Sequence, residues 1–209
     1  TLYNEKVSFA NYFGLQEHPI DTPNAVEPFI ETDGDLGYYL GVHWRYLKQT
    51  DVRVYYYDNR GDPFAIEKNK QYAWKTRYYS VSMQHKFSKN FRVLAQWLDG
   101  DTGMGSQENG VFTDISSWYV LLSYKIGSHR LSLRQDQFKV EETDINIYDP
   151  NDSNGDSITL AWRYDFDKNW NIGAEFIKST SYNENRTLWK YWAPEHTQKQ
   201  YMAIVQYRF

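Results

Sequence analysis

The chain has 209 residues with 41% hydrophobic side chains and a formal net charge of -4, and its mean hydropathy is -0.77. No apolar run approaches the ~20 residues a membrane helix needs, the absence of Cys removes disulfides and thiolate metal sites, and the acidic balance argues against a general nucleic-acid binder. The unusual figure is the aromatic share, 18%, with 19 Tyr, 8 Trp and 11 Phe, residues whose apolar bodies and polar tips suit a membrane–water interface better than a dry core.

No composition break divides the chain, so residues 1–209 read as a single domain. No secretory leader is visible at Thr1, as expected of a mature chain or of a piece of a longer one. A weak alternation over residues 7–13 reads as a first strand, and a long polar connection, 14–36, follows. Tyr38, Leu40, Val42, Trp44 and Tyr46 then alternate with Tyr39, Gly41, His43 and Arg45. Side chains of a strand point alternately to opposite faces, so one face here is apolar and aromatic and the other polar. A turn at Lys48-Gln49-Thr50-Asp51 leads into a strand over 52–59, and a long connection, 60–75, into strands over 77–87 and 91–99 around the turn Ser88-Lys89-Asn90. After the long connection 100–114, Trp118, Val120, Leu122, Tyr124 and Ile126 alternate with Tyr119, Leu121, Ser123 and Lys125. The turn Gly127-Ser128 joins this strand to one over 130–140, and a long connection, 141–156, comes next. The sharpest split is Ile158, Leu160, Trp162, Tyr164 and Phe166 against Thr159, Ala161, Arg163 and Asp165. Beyond the turn Asp167-Lys168-Asn169 lie a strand over 170–178, a long connection, 180–199, and a closing strand that ends on Phe209.

This amounts to about ten strands near the ~10-residue length of tilted membrane-spanning strands, with short and long connections alternating. Short turns therefore gather at one end of the sheet and long loops at the other, and the fold expected is all-β, an antiparallel transmembrane β-barrel. Mean hydropathy does not oppose this, because half of each strand would face a polar lumen. A soluble ligand-binding barrel alternates too, but its outward set should be richer in Lys, Glu and Asp. Trp44, Tyr46, Phe87, Phe91, Tyr124, Phe166, Trp170, Tyr207 and Phe209 all fall beside short turns on the apolar side, the pattern of a membrane-interface girdle.

The closing strand, with its terminal aromatic, resembles that of bacterial outer-membrane β-barrels. Gly34-Asp35-Leu36-Gly37-Tyr38-Tyr39, Tyr57-Asp58-Asn59-Arg60-Gly61-Asp62-Pro63, Leu121-Leu122-Ser123 with His129-Arg130-Leu131, and Tyr207-Arg208-Phe209 resemble landmarks of a Gram-negative porin family. The resemblance covers nearly the whole chain. Members are usually longer, so it leaves open a barrel of about ten strands or the C-terminal strands of a larger one. It implies a bacterial outer-membrane location, contact with outer-membrane lipid and lipopolysaccharide, insertion by the barrel-assembly machinery through the last strand, passage of small hydrophilic solutes without a cofactor, and an oligomeric state that includes a homo-oligomer.

If the aromatic face meets lipid, Arg45, Arg53, Lys86, Arg92, Lys125, Arg130, Arg134, Arg163 and Arg208 project inward against Asp136, Asp165 and Glu175. Such a wall concentrates anions. The expectation is a passive channel of weak anion preference, set by Arg45, Arg53, Arg92, Arg134 and Arg163 with Asp136 and Glu175 as counter-charges. The alternative is an inner network of ion pairs that plugs a structural barrel. An outer-membrane hydrolase is a further class: His18, Asp21, Glu141, Asp144, Glu195 and His196 fall in the long connections, yet no spacing ties a nucleophile to a base, and Ser82 and His85 sit on opposite faces. Asp149 to Asp156 is rich in oxygen ligands but misses calcium-loop spacing at Asn154, so no metal is expected. Gly100-Asp101-Thr102-Gly103-Met104-Gly105 reads as a flexible loop, and Leu188-Trp189-Lys190-Tyr191-Trp192 as an interfacial anchor or a sugar-stacking surface. Acidic residues such as Glu17, Glu27, Glu31 and Asp33 mark the loops as solvated.

Overall fold

The computed structural model describes residues 33–65, 73–105, 110–190 and 192–209. They form nine strands, β1 (Tyr38–Tyr46), β2 (Thr50–Asp58), β3 (Lys75–Lys86), β4 (Phe91–Met104), β5 (Val111–Ile126), β6 (His129–Glu142), β7 (Ser153–Asp165), β8 (Trp170–Asn183) and β9 (Glu195–Tyr207). One short helix, α1 (Asn185–Lys190), lies between β8 and β9. Each strand pairs antiparallel with the next in chain order, giving a single meandering sheet. β1 and β9 do not pair with each other, so among the described residues the sheet is open. The strand expected over 7–13 lies outside the described residues, as do His18 and Asp21 and the acidic positions Glu17, Glu27 and Glu31.

The strands reach further into the long connections than the alternation indicates. β4 takes in Gly100 to Met104, which is strand and not a flexible loop, and β9 begins at Glu195, so Glu195 and His196 are strand residues and not loop tips. Glu141 likewise belongs to β6. In these upper segments both faces carry polar side chains, so hydropathy contrast disappears while the backbone ladder continues. The first turn is also displaced. Thr50 and Asp51 open β2, and the reversal is made by Leu47 and Lys48, with the Gln49 N–H donating to the Tyr46 carbonyl at 3.0 Å.

Residues directly opposite in an antiparallel ladder share a face, so the register sorts every side chain. One face carries Val42, Val54, Val81, Trp97 and Trp118, and further along Leu133, Leu160, Phe176, Val205 and Tyr201. The opposite face carries Ser80, Thr113, Ser123 and Asn171. Burial is inverted relative to a water-soluble sheet. The polar four are 1–6% exposed, whereas Leu160 is 51% and Val205 69% exposed. Ala73 is the one buried hydrophobic side chain among the described residues.

The apolar face has sharp borders. At the short-turn end, rings follow one another: Trp44 with Tyr46 at 5.9 Å, Phe87 with Phe91 at 5.4 Å, Phe91 with Tyr124 at 6.4 Å, Tyr164 with Phe166 at 4.9 Å and Trp170 with Tyr207 at 4.7 Å. At the far end a second series, Tyr38–Tyr56–Tyr79 and Phe176–Tyr201, closes the band. Two residues beyond it the same face turns ionic, as Tyr79 gives way to Arg77, Trp97 to Asp99, Ile158 to Asp156 and Tyr201 to Lys199.

The band runs obliquely to the ladder. One row of directly opposed residues starts at Tyr46, the last residue of β1, passes Thr50, His85, Val93, Leu122, Leu133, Leu160 and Phe176, and reaches Tyr201, six residues short of the end of β9. At about 3.4 Å per residue and about 4.8 Å per strand, a six-residue climb over eight steps leans the strands roughly 30° from the normal to the band.

Candidate functional site

All nine side chains expected to line an inner wall, Arg45, Arg53, Lys86, Arg92, Lys125, Arg134, Asp136, Arg163 and Glu175, lie on the polar face. The expected girdle residues in strands, Trp44, Tyr46, Phe91, Tyr124, Trp170 and Tyr207, lie on the other face. Phe87, Phe166 and Phe209 follow strand ends at the same margin.

The polar face divides into regions of different charge balance. Beside the first turn, Asp51 is a hub: its carboxylate accepts from Arg45 Nε at 2.8 Å and Arg53 Nε at 3.0 Å, and meets His43 Nε2 at 2.8 Å. On β6, Arg134 pairs with Asp136 and lies over the Tyr119 ring, 4.2 Å from its centroid, while Ser157 Oγ donates to Asp136 at 3.2 Å. The Arg134–Asp136 pair is neutral, and at Asp51 two arginines share one carboxylate that touches both.

The third region is less balanced. The register sets Lys86 opposite Arg92, and Arg130 directly opposite both Lys125 and Arg163. Their acidic neighbour is Asp165, which accepts from Arg163 Nη2 at 3.3 Å and stands 3.9 Å from Lys125 Nζ. Arg163 Nε also comes within 3.0 Å of this carboxylate, without the alignment of a hydrogen bond. Arg130 donates to the Ser123 hydroxyl at 3.0 Å, and Ser123, 1% exposed, also takes a bond from Ser132 at 3.1 Å. No acidic group of the described residues forms an ion pair with Arg92 or Arg130, and the Nε atoms of both are enclosed without an acceptor.

Glu175 corrects one expectation. It faces the same side but makes no ion pair among the described residues; the carboxylates in contact with cations on this face are Asp51, Asp136 and Asp165. Asp51 was concealed by its assignment to a turn, although its i, i+2 spacing from Arg53 places both on one face. The polar face also carries tyrosine pairs, Tyr39 stacked on Tyr55 at 4.9 Å and Tyr57 on Tyr78 at 5.2 Å. Leu94, Leu98 and Leu121 share that face as well, so it is mixed, with its cations concentrated near the short turns.

Among the residues of the hydrolase alternative, Glu195 and His196 are adjacent in β9 and therefore point to opposite faces. The Asp144 carboxylate accepts the backbone N–H groups of Phe112 and Asn146. His85 Nδ1 lies 2.9 Å from the Thr50 hydroxyl on the apolar side, away from Ser82. In the oxygen-rich loop, Asp152 accepts the Glu142 N–H at 2.7 Å, and the Asn151 side chain donates to the Asp149 carbonyl. α1 includes Leu188, Trp189 and Lys190, whose side chains, like Tyr191, lie outside the described residues. Compared with protein-family models, curated proteins and solved structures, the chain finds no match.

Proposed function

We propose that this sheet is the wall of a bacterial outer-membrane β-barrel that passes small hydrophilic solutes by diffusion, with a weak preference for anions. The observation that carries the reading is the inverted burial: exposed Leu, Val and Trp on one face, buried Ser, Thr and Asn on the other. Soluble monomers rarely leave an apolar surface of such extent in water, whereas hydrocarbon solvates it. From Ile158 to Phe166 the band rises roughly 27 Å along the strand, or roughly 23 Å in height at the lean above, near the ~25 Å apolar belt of outer-membrane barrels. The lean itself is close to the ~35–45° that closure of a sheet demands. Aromatic series at both borders match the two interfaces, and the acidic and basic residues just beyond the upper one would meet lipopolysaccharide. The aromatic-ended last strand is what the assembly machinery would engage, and self-association belongs to the same reading. The inner wall selects by charge and takes part in no bond chemistry.

A non-conducting structural barrel is the second reading, favoured by the Asp51 and Asp136 ion pairs that link inner-wall side chains. Refolded full chain should migrate faster on a detergent gel before boiling than after, and should give single-channel steps in planar bilayers with a reversal potential of anionic sign in a KCl gradient. Steps with cationic sign would reject the anion preference. A heat shift without steps would establish the structural barrel, and neither a shift nor steps would overturn the membrane reading.

A further inference from the structure

Within the polar face, Arg92, Arg130 and Arg163, with Lys125 beside them, form a cluster that the fold crowds together without balancing. Like charges set directly opposite in a ladder destabilise it, and here Arg130 faces a cation on each side. One carboxylate, Asp165, serves Arg163 and Lys125, which leaves the charges of Arg92 and Arg130 uncompensated. Nor are these guanidinium groups free to swing into bulk water: their Nε atoms are enclosed, and Arg130 is tied to the most deeply buried side chain of the described residues, Ser123. Planar forks held in fixed positions, rich in donors and short of acceptors, are the arrangement that recognises tetrahedral or planar oxyanions through charge-assisted, bidentate bonds. Arg92 and Arg130 thus differ from Arg45, Arg53, Arg134 and Arg163, each of which has a carboxylate in contact.

We infer that Arg92, Arg130 and Arg163, supported by Lys125 and Ser123, form a discrete binding site for a small oxyanion of the phosphate or sulfate class on the inner wall near the short turns. The inference rests on reading this face as a water-filled wall and deepens it. A diffuse basic lining only raises local anion concentration, while this cluster holds one oxyanion at a time and makes its passage saturable.

The test is calorimetric titration of the refolded full chain in detergent with inorganic phosphate and with sulfate at constant ionic strength, alongside bilayer recording of the same preparation. Saturable binding of either anion is expected, with affinity reduced at least about tenfold in Arg92→Gln/Arg130→Gln, the loss of charge-assisted bonds. The lysine pair, Arg92→Lys/Arg130→Lys, should recover part of it. Lys178→Gln/Lys199→Gln, which removes two cations from the apolar face, should bind as the parent does. Heat-modifiable migration verifies that each variant is folded, and removing mutually repelling charges gives no reason for it to fail. Phosphate should also raise the melting temperature of the parent and not that of the glutamine pair. Absence of saturable binding in the parent, or equal binding by the glutamine pair, overturns the site. Conductance without saturable oxyanion binding removes the site and leaves the channel, whereas binding without conductance removes the channel and leaves the site.

Discussion

Asp167 shows how one carboxylate fixes a short turn. It accepts the N–H groups of Asn169 at 2.7 Å and Trp170 at 2.9 Å, and these bonds hold its pKa below the ordinary Asp value. A carboxyl whose folded pKa is depressed adds stability above its unfolded pKa, about 4, and that contribution is lost as pH falls through the lower folded value. Urea melts at a series of pH values should therefore show the parent losing stability on acidification, and Asp167→Asn, which keeps an acceptor and cannot titrate, losing less over the same interval. Ser123 serves the opposite end of the polarity scale. As an enclosed hydroxyl that accepts from Arg130 and Ser132, it is where packing and charge on the polar face meet.

At the level of strands and turns, local geometry departs from the residue types a turn ordinarily selects. Leu47 and Lys48 have φ of +46° and +55° in the loop between β1 and β2, a left-handed conformation that costs a side-chain-bearing residue about 1–2 kcal/mol. Lys48→Gly should raise stability by about 0.5–1 kcal/mol after allowing for glycine's greater unfolded entropy, read as a shift in the denaturant midpoint with unchanged slope. Glycine also serves the strands: Gly41 lies under the Tyr55 ring and Gly155 under the Phe138 ring, each directly across the ladder. The hydrophobic segments of the strands were legible in the sequence because apolar and polar side chains alternate there, as from Ile158 to Phe166. Where both faces are polar, as at Thr102 or Thr197, alternation carries no signal and only backbone pairing defines the strand. The polar face was legible as a set of residues, since parity alone assigns it. Its partners were not, because whether Arg163 finds Asp165 or Glu175 depends on side-chain reach and not on parity.

For the whole molecule, the decisive property is that one face of the nine-stranded sheet carries a continuous apolar band and the other does not. This makes neighbouring positions respond in opposite ways. Leu160→Arg puts a cation within the exposed apolar band and should cost about 2–4 kcal/mol if that band lies in hydrocarbon. It should lower the yield of heat-modifiable protein in lipid vesicles. Thr159→Arg, one residue earlier on the polar side, should fold at near-parent yield. Equal tolerance of the two in vesicle refolding would contradict a lipid-facing band.

The abrupt borders of that band have a consequence for assembly. On the proposed membrane reading, sliding any strand by one residue would turn tryptophans toward water and guanidinium groups toward oil, so odd slips are rejected by both surfaces together. An even slip of two keeps each surface chemically consistent, yet it moves a boundary such as Trp97/Asp99 along its neighbour by about 7 Å and drives a carboxylate below the rim. The sequence thus proofreads its own alignment twice, by parity across the sheet and by altitude along it.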